Sequence, residues 1–450
     1  MAVVDRRIGL EQEFFLVDEV GEISNRADEF LQCCREVAEA EGRNPVYFAP
    51  EWVKCMVEIN TPPAYSVTEL AKEYLSNLKL ALQVGREMSL RLYPLSTYPL
   101  HVMPVSRDKL WNHVQLRTVG YDRFLHAGRC TGTHMHLDLP DGTIDPRVGV
   151  SYDASVEARE ELLNIYNLAT ALDPALIALS RACPFYEGRA MNVATHTFYY
   201  RGSDVFGWEG VYTHLQSVGG LQPYAASVEE LVELQFARYY AWLEAMDKAG
   251  VERHLFLEAG GSLLKAAWNR VRLNKIGTVE MRGTDSNYPE VTLAIATLVY
   301  NAAERVRREN LTVRPADGAR TFEVSGNQLS VPEFKYLDGN LLYAAVTEGV
   351  KSPEIIAYLD SVLEFVIKDG GVGSNYLTKL SSSLDKYQTT EAELRQEFAP
   401  VTAEISRDEG LRLVRQSCNK LEEQVASLDN QSPLEVLEAK IEQSLLKRQG

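Results

Sequence analysis

Hydrophobic and polar positions alternate along four stretches of this chain, and the alternation predicts strands. In Ile8–Val17 (IGLEQEFFLV), Ile8, Leu10, Phe14 and Leu16 share one face, with Gln12 as the exception. Gly9, Glu11, Glu13, Phe15 and Val17 take the other face. In Cys55–Asn60, Cys55, Val57 and Ile59 oppose Met56, Glu58 and Asn60. Thr61-Pro62-Pro63 ends that ladder, since proline has no N–H to give it. In Gly128–Pro140, Thr133, Met135, Leu137 and Leu139 oppose His134, His136 and Asp138, and Asp141-Gly142 is a turn. In Lys275–Thr284, Val279 and Met281 oppose Thr278, Glu280 and Arg282.

Helical spacing covers the segments between. It predicts helices over Asp28–Ala40, Ser66–Tyr93, Asp153–Arg181, Ser227–Lys248 and Glu290–Arg308. Ser66 with Glu69, and Ser227 with Glu230, form capping boxes. The third helix is expected to break or turn near Asp173-Pro174. Tyr93–Pro104 reads as extended, and Pro184–Arg201 as an aromatic, polar loop. From about Pro315 the character changes to short amphipathic helices around Asn340, Pro353, Thr390, Asp408 and Pro433, with few strand signals.

Composition narrows the class. At 450 residues, 45% hydrophobic and 24% charged, the chain reads as a soluble globular protein. A net charge of −17 argues against a nucleic-acid partner, which calls for a basic face. No run of about 18 apolar residues predicts a membrane span. The N-terminus shows no signal-peptide core, so a cytoplasmic protein is expected. The six cysteines lack CxxC spacing and are expected to be free thiols. Redox sensitivity at Cys130 or Cys183 competes with a plain buried role. Assembly into a homo-oligomer is left open.

The four strands share one design, an apolar face and a face carrying acid, histidine or arginine. Two solvated acids on an edge strand would explain Glu11 and Glu13 alone. Four strands patterned alike predict one sheet with a polar, metal-bearing face. Glu51, near the Pro50 turn, lies close in sequence to Glu58. Carboxylates with little histidine and no cysteine suit magnesium or manganese. Arg270, Arg272, Lys275 and Arg282 are candidates for phosphate oxygens. Arg189 and Arg201 are candidates for a substrate carboxylate, with packing on Tyr199 or Tyr200 as the plainer alternative. No Walker loop or GxGxxG is present, so a nucleotide would be held by metals and side chains.

Five pieces in order, GLEQEFFLVD, VEINTPP, GTHMHLDLP, ACPFYEG and GTVEMRGTDS, span about residues 5–310. Through them the chain resembles the glutamate–cysteine ligase family, in its bacterial and cyanobacterial carboxylate–amine ligase branch. The resemblance implies an α+β fold with a curved, funnel-like antiparallel sheet like the glutamine synthetase catalytic domain, helices outside and a helical C-terminal extension. It implies a catalytic domain over residues 1–320 and a helical region over 321–450 packed on it. It implies magnesium, ATP as co-substrate, and glutamate and cysteine joined through an acyl phosphate, the first step of glutathione biosynthesis. By position, Glu11, Glu13, Glu51, Glu58, His134 and Glu280 match metal-site residues, with Glu280 and Arg282 catalytic. Arg282, Arg272, Lys275 and His136 fall to ATP or phosphate, and Arg189, Arg201 and Asp285 to substrate. The chain departs from the family at Trp268-Asn269-Arg270-Val271-Arg272-Leu273, where relatives often carry Trp-Asp-x-Arg-Pro-His. Another amine acceptor is therefore one alternative. A metal-dependent amidohydrolase using His134 and His136 is a second, and an inactive scaffold a third.

Overall fold

The computed structural model describes residues 6–367, 376–377, 381, 388–398 and 403–430. Its centre is a seven-stranded sheet. The strands are β1 (Ile8–Asp18), β2 (Phe48–Pro50), β3 (Met56–Asn60), β4 (Leu90–Tyr93), β5 (Gly132–Asp138), β6 (Val271–Asn274) and β7 (Thr278–Asp285). The order is β6-β7-β5-β1-β3-β2, with β4 on the far end of β1, and every pairing is antiparallel. The long β1 therefore serves three neighbours. Glu11 sits opposite His134 on one edge, Glu13 opposite Glu58 on the other, and Phe15 opposite Tyr93 beyond.

The apolar strand faces are buried under helices. Ile8, Leu10, Phe14, Val57, Ile59, Met135, Leu137, Val279 and Met281 join one core. Over it lie α1 (Ala27–Ala40), α2 (Val67–Glu87), α3 (Val156–Ser180) and, after the peripheral α4 (Val228–Lys248), α5 (Pro289–Arg308). Gln12, polar on this apolar face, is satisfied: its Nε2 donates to the Asn287 carbonyl at 2.7 Å and its Oε1 accepts from Tyr74. The other face of β1 turns apolar past Glu13. There Phe15 and Val17 form a second core with Tyr93, Leu413 and Val414. The last two belong to a late helix, Arg407–Asn430.

Two helix expectations change. The Ser66–Tyr93 helix stops at Glu87, and a turn through Ser89 (φ 55°) leads into β4. Leucines at 90 and 92 fit a strand as readily as a helix, and pairing with β1 decides between them. α3 runs unbroken through Pro174. One backbone hydrogen bond is forgone, but both flanks are buried, and Asp173 is held by Arg270 Nε at 3.2 Å. α3 is long and apolar enough to cross a membrane on composition alone, yet most of it is enclosed in the core. β6 is a strand that the pattern did not predict, and Pro184–Arg201 contains a short hairpin, Phe185–Tyr186 with Arg189–Ala190.

The late region is mixed. Glu323–Ser325 and Gln328–Val331 are strands inside the stretch expected to be helical, joined by Thr312–Pro315 in a three-stranded sheet. Helices follow at Pro353–Ile367, Thr390–Glu397 and Arg407–Asn430. The helix expected near Pro433 lies outside the described residues. One buried ion pair pins this region to α3: Arg181, just past its end, meets Glu391 at 2.5 and 3.0 Å. Burial alone would raise the Glu391 carboxyl, and Arg181 outweighs it and holds it below its ordinary value.

Glu391→Ala should therefore cost about 3–5 kcal/mol in chemical denaturation at neutral pH, because it strands a buried guanidinium. A carboxyl held low stabilises the fold above its unfolded pKa and loses that contribution as pH falls. The gap between wild type and variant should narrow toward acid pH, and a gap independent of pH would refute the assignment.

Candidate active site

The polar strand faces converge as their register requires. Glu11, His136 and Glu280 form one group whose ligand atoms lie within 4.8 Å of one another. Glu11, Glu58 and His134 form a second, and Glu13, Glu51 and Glu58 a third. A cavity of about 270 Å³ opens beside them. Glu13, Glu51, His134, His196, Arg201 and Arg282 line it, and Trp52, Trp111, Phe124, Tyr200 and Trp268 supply aromatic wall.

Charge is balanced at one end only. Glu280 is fully buried and meets Arg272 at 2.6 and 3.0 Å, Asn274 Nδ2 at 2.5 Å, and Arg282. Burial would raise its carboxyl, but Arg272 and Arg282 outweigh burial and hold it well below the ordinary range. Burial likewise opposes ionisation of Glu11, and His136 with hydrogen bonds from both histidines reverses the sign, leaving it low. Burial and then the Arg282 charge bring His134 down to about 4, so it is neutral at neutral pH and able to act as a ligand. His136 goes up, because Glu11 and Glu280 outweigh its burial.

At the other end, the Arg282 charge and the Gly132 N–H at Glu13, and Asn60 at Glu58, do not outweigh burial and crowding. Burial and then Glu51 push Glu13 well up, and burial with Glu11, Glu51 and Glu13 does the same to Glu58. Crowded carboxylates that resist ionising together are what a hard divalent cation neutralises. The all-oxygen donor set of Glu13, Glu51 and Glu58 fits magnesium or manganese and offers nothing for a soft metal.

The register of β7 shifts between Met281 and Thr284. Such a bulge re-aims side chains, and here Arg282 turns to the cavity. Its Nη1 reaches Glu280 and lies 3.3 Å from His134 Nδ1, while its Nη2 has no hydrogen bond among the described residues. Gly283 sits at the bulge, where a Cβ would lie 2.6 Å from Asp173 Oδ1.

Several candidate residues sit elsewhere than expected. Arg189 is exposed on the short hairpin, and Lys275 is exposed in the β6–β7 turn; neither lines the cavity. Arg272 is spent on Glu280 and on the Ala267 carbonyl at 2.5 Å. His136 is held behind the wall by Thr278 Oγ1 at 2.9 Å and Glu11 at 3.3 Å. Arg201 lines the cavity, but its guanidinium donates to the backbone carbonyls of Gly219, Trp268 and Arg282. Asp285 faces away from the cavity, toward Thr195 and His196. Cys130 and Cys183 are free and buried, and burial pushes both thiols well up, which makes them unreactive. His196 and the tryptophan wall were not anticipated. Nothing in the aperiodic ATHTFYYR stretch marks His196, whereas Trp268 stands in the departing segment already noted.

An open antiparallel sheet with helices on one face and a carboxylate-lined, cation-competent cradle on the other defines an α+β class of protein. Within it, this chain belongs to glutamate–cysteine ligase family 2, whose family model matches residues 7–344. Relatives bearing the provisional name glutamate–cysteine ligase 2 include one from Gloeobacter violaceus, 24% identical over 185 residues, or 40% of this chain and 43% of the relative. A relative from Rubrobacter xylanophilus, provisionally named glutamate–cysteine ligase 2-3, is 26% identical over 65% of this chain and 67% of its own. The matched stretch spans less than half of the Gloeobacter relative. Among solved structures, the glutamate–cysteine ligase of Francisella tularensis in complex with AMP shares the fold, with a TM-score of 0.51, 12% identity, and 97% and 94% of the two chains covered. The bifunctional glutathione synthetase of Pasteurella multocida gives 0.52, 14%, and 94% and 52%.

Glu58→Gln should raise stability in metal-free buffer on the order of 1 kcal/mol, because it removes a crowded acid. A carboxyl held high penalises the fold as pH rises through its unfolded pKa, so the gain should grow toward alkaline pH. The same variant should lose the rise in Tm that magnesium or manganese gives wild type. A variant that keeps the metal-induced rise would remove Glu58 from the cradle.

Proposed function

We propose that this chain is an ATP- and magnesium-dependent ligase joining the γ-carboxylate of L-glutamate to the amine of L-cysteine through an acyl phosphate. The product, γ-glutamylcysteine, would feed glutathione synthesis. The observation that carries the reading is the convergence of Glu11, Glu13, Glu58, His134 and Glu280 from four strands into metal-competent groups, beside a cavity that Glu13, Glu51, His134 and Arg282 line. We assign catalysis to residues 1–320 and bracing of the sheet to the described part of 321–450.

Glu13, Glu51 and Glu58, with Glu11, His134 and Glu280, would hold divalent cations, which when bound neutralise phosphate charge. Arg282 donates from Nη2 toward phosphoryl oxygens, where charge is spread during transfer. Glu280 fixes the arginine by pairing with Nη1. The wall of Trp52, Trp111 and Trp268 excludes water that would otherwise hydrolyse the activated acid. No protein nucleophile is needed, in keeping with the inert thiols.

A different amine acceptor is the second reading, favoured by the departure at Asn269–Leu273, which directly follows Trp268 in the cavity wall. An amidohydrolase is disfavoured, since the sheet is antiparallel and open and not a strand–helix barrel.

Phosphate release from ATP and magnesium should depend on L-glutamate and L-cysteine together and yield a γ-linked dipeptide by mass. Release with another acid–amine pair would keep the class and change the substrates. No release with any pair, joined with metal-dependent hydrolysis of an amide, would overturn ligation.

A further inference from the structure

We propose that His196, oriented by Asp285, accepts the proton of the incoming amine. This rests on the ligase reading above. An amine substrate reaches the site as its ammonium form, which has no lone pair for attack, so one proton must leave first.

The dyad is built for that step. His196 is buried and lines the cavity. Its Nδ1 lies 2.6 Å from Asp285 Oδ1, and its own backbone N–H donates to the same oxygen at 2.9 Å. Asp285 also accepts from Thr195 Oγ1 at 2.9 Å, Ala182 N at 3.1 Å and Cys183 Sγ at 3.3 Å. A carboxylate receiving five donors acts as acceptor, so Nδ1 carries the hydrogen and Nε2 keeps its lone pair. That is the tautomer a base needs. The ring is further held against Tyr200, with centroids 6.3 Å apart and planes at 21°. Nε2 has no hydrogen bond among the described residues and faces the gap left by Gly132, where a Cβ would lie 3.5 Å away.

The other histidine, the carboxylates and the thiol beside the cavity are committed. His134 is shared between Glu11 and Arg282. Glu13, Glu51 and Glu58 belong to the cation cradle. Cys130 is a thiol pushed up by burial. His196 belongs to none of the three metal-competent groups.

The step balances. The ammonium gives one proton to His196 Nε2, and the freed lone pair forms the C–N bond at the acyl-phosphate carbon. The C–O bond to phosphate breaks, and phosphate leaves with that electron pair. It takes the second proton from nitrogen, giving the amide, and His196 returns its proton to water.

The test compares two nucleophiles at neutral pH. L-cysteine arrives protonated, whereas hydroxylamine is already neutral and forms a hydroxamate from the same acyl phosphate without a base. In His196→Asn the ratio of dipeptide to hydroxamate rates should fall about 10²–10⁴-fold. An equal loss with both nucleophiles, or no loss with either, would overturn the proposal. Should the variant not fold, carbethoxylation of wild-type histidines with diethyl pyrocarbonate gives the same comparison. Dipeptide formation should then be lost ahead of hydroxamate formation, and parallel loss overturns the role. A wild type that forms no hydroxamate with any acid defeats the ligase reading itself, which separates the two failures.

Discussion

Like charges gathered on one buried sheet face are the constraint around which this molecule is arranged. Antiparallel register sets Glu11 beside His134 and Glu13 beside Glu58, and carboxylates at such spacing cannot all ionise unaided. The protein meets the cost unevenly. At β7, Arg272 and Arg282 bracket Glu280 so completely that this acid is ionised inside the core. Across β1, no arginine among the described residues pairs with the carboxylate of Glu51 or Glu58. A fold selected for stability alone would place one there, since an unpaired buried acid is costly. The asymmetry is a functional signature, because the uncompensated end is where a cation has something to neutralise.

The same strand shows how sharply the site is bounded. Along one face of β1, Glu11 and Glu13 give way to Phe15 and Val17, which enter the second core with the late helix Arg407–Asn430. Arg91 reaches that helix at Glu422 (2.6 Å), and Arg181 holds the preceding segment at Glu391. The C-terminal region thus closes the apolar end of the face and leaves the acidic end open. A part of the chain that, among the described residues, neither lines the cavity nor joins the acid groups still sets the limit of the cradle.

Much of this was legible from sequence because strand periodicity is exact in its consequence: once β1 is a strand, Glu11 and Glu13 must share a face. Four strands with acid or histidine on one side and core residues on the other therefore predicted the cradle and the helical layer. What depended on partners far along the chain was not legible. Arg189 and Arg201 looked equivalent as free guanidiniums, but one lies exposed on a hairpin and the other is spent on carbonyls contributed by three separate segments. His196 sits at a short π-helical turn, Thr197–Arg201, with no periodicity to mark it, and its importance comes wholly from Asp285, 89 residues away. β6 escaped because its two alternating apolar residues are too few to stand out, and only the pairing of Val271–Asn274 with β7, Arg272 opposite Glu280, makes it a strand.

β7 joins these two kinds of information. Within four residues it carries Arg282, which faces the cavity, and Asp285, which faces away from it to hold His196. Regular alternation would place residues three apart on opposite faces, and the bulge between them adjusts how each is aimed. Gly283 makes the bulge possible, since any side chain there would strike Asp173, itself held by Arg270 and through it joined to Asp338 at 2.5 Å. The cavity-facing arginine and the histidine dyad are therefore not independent additions to the sheet. They hang from one irregularity, braced by the buried Asp173–Arg270 pair and, through it, by the half-buried Asp338, so their relative position is fixed by the core and not by the loops that line the cavity.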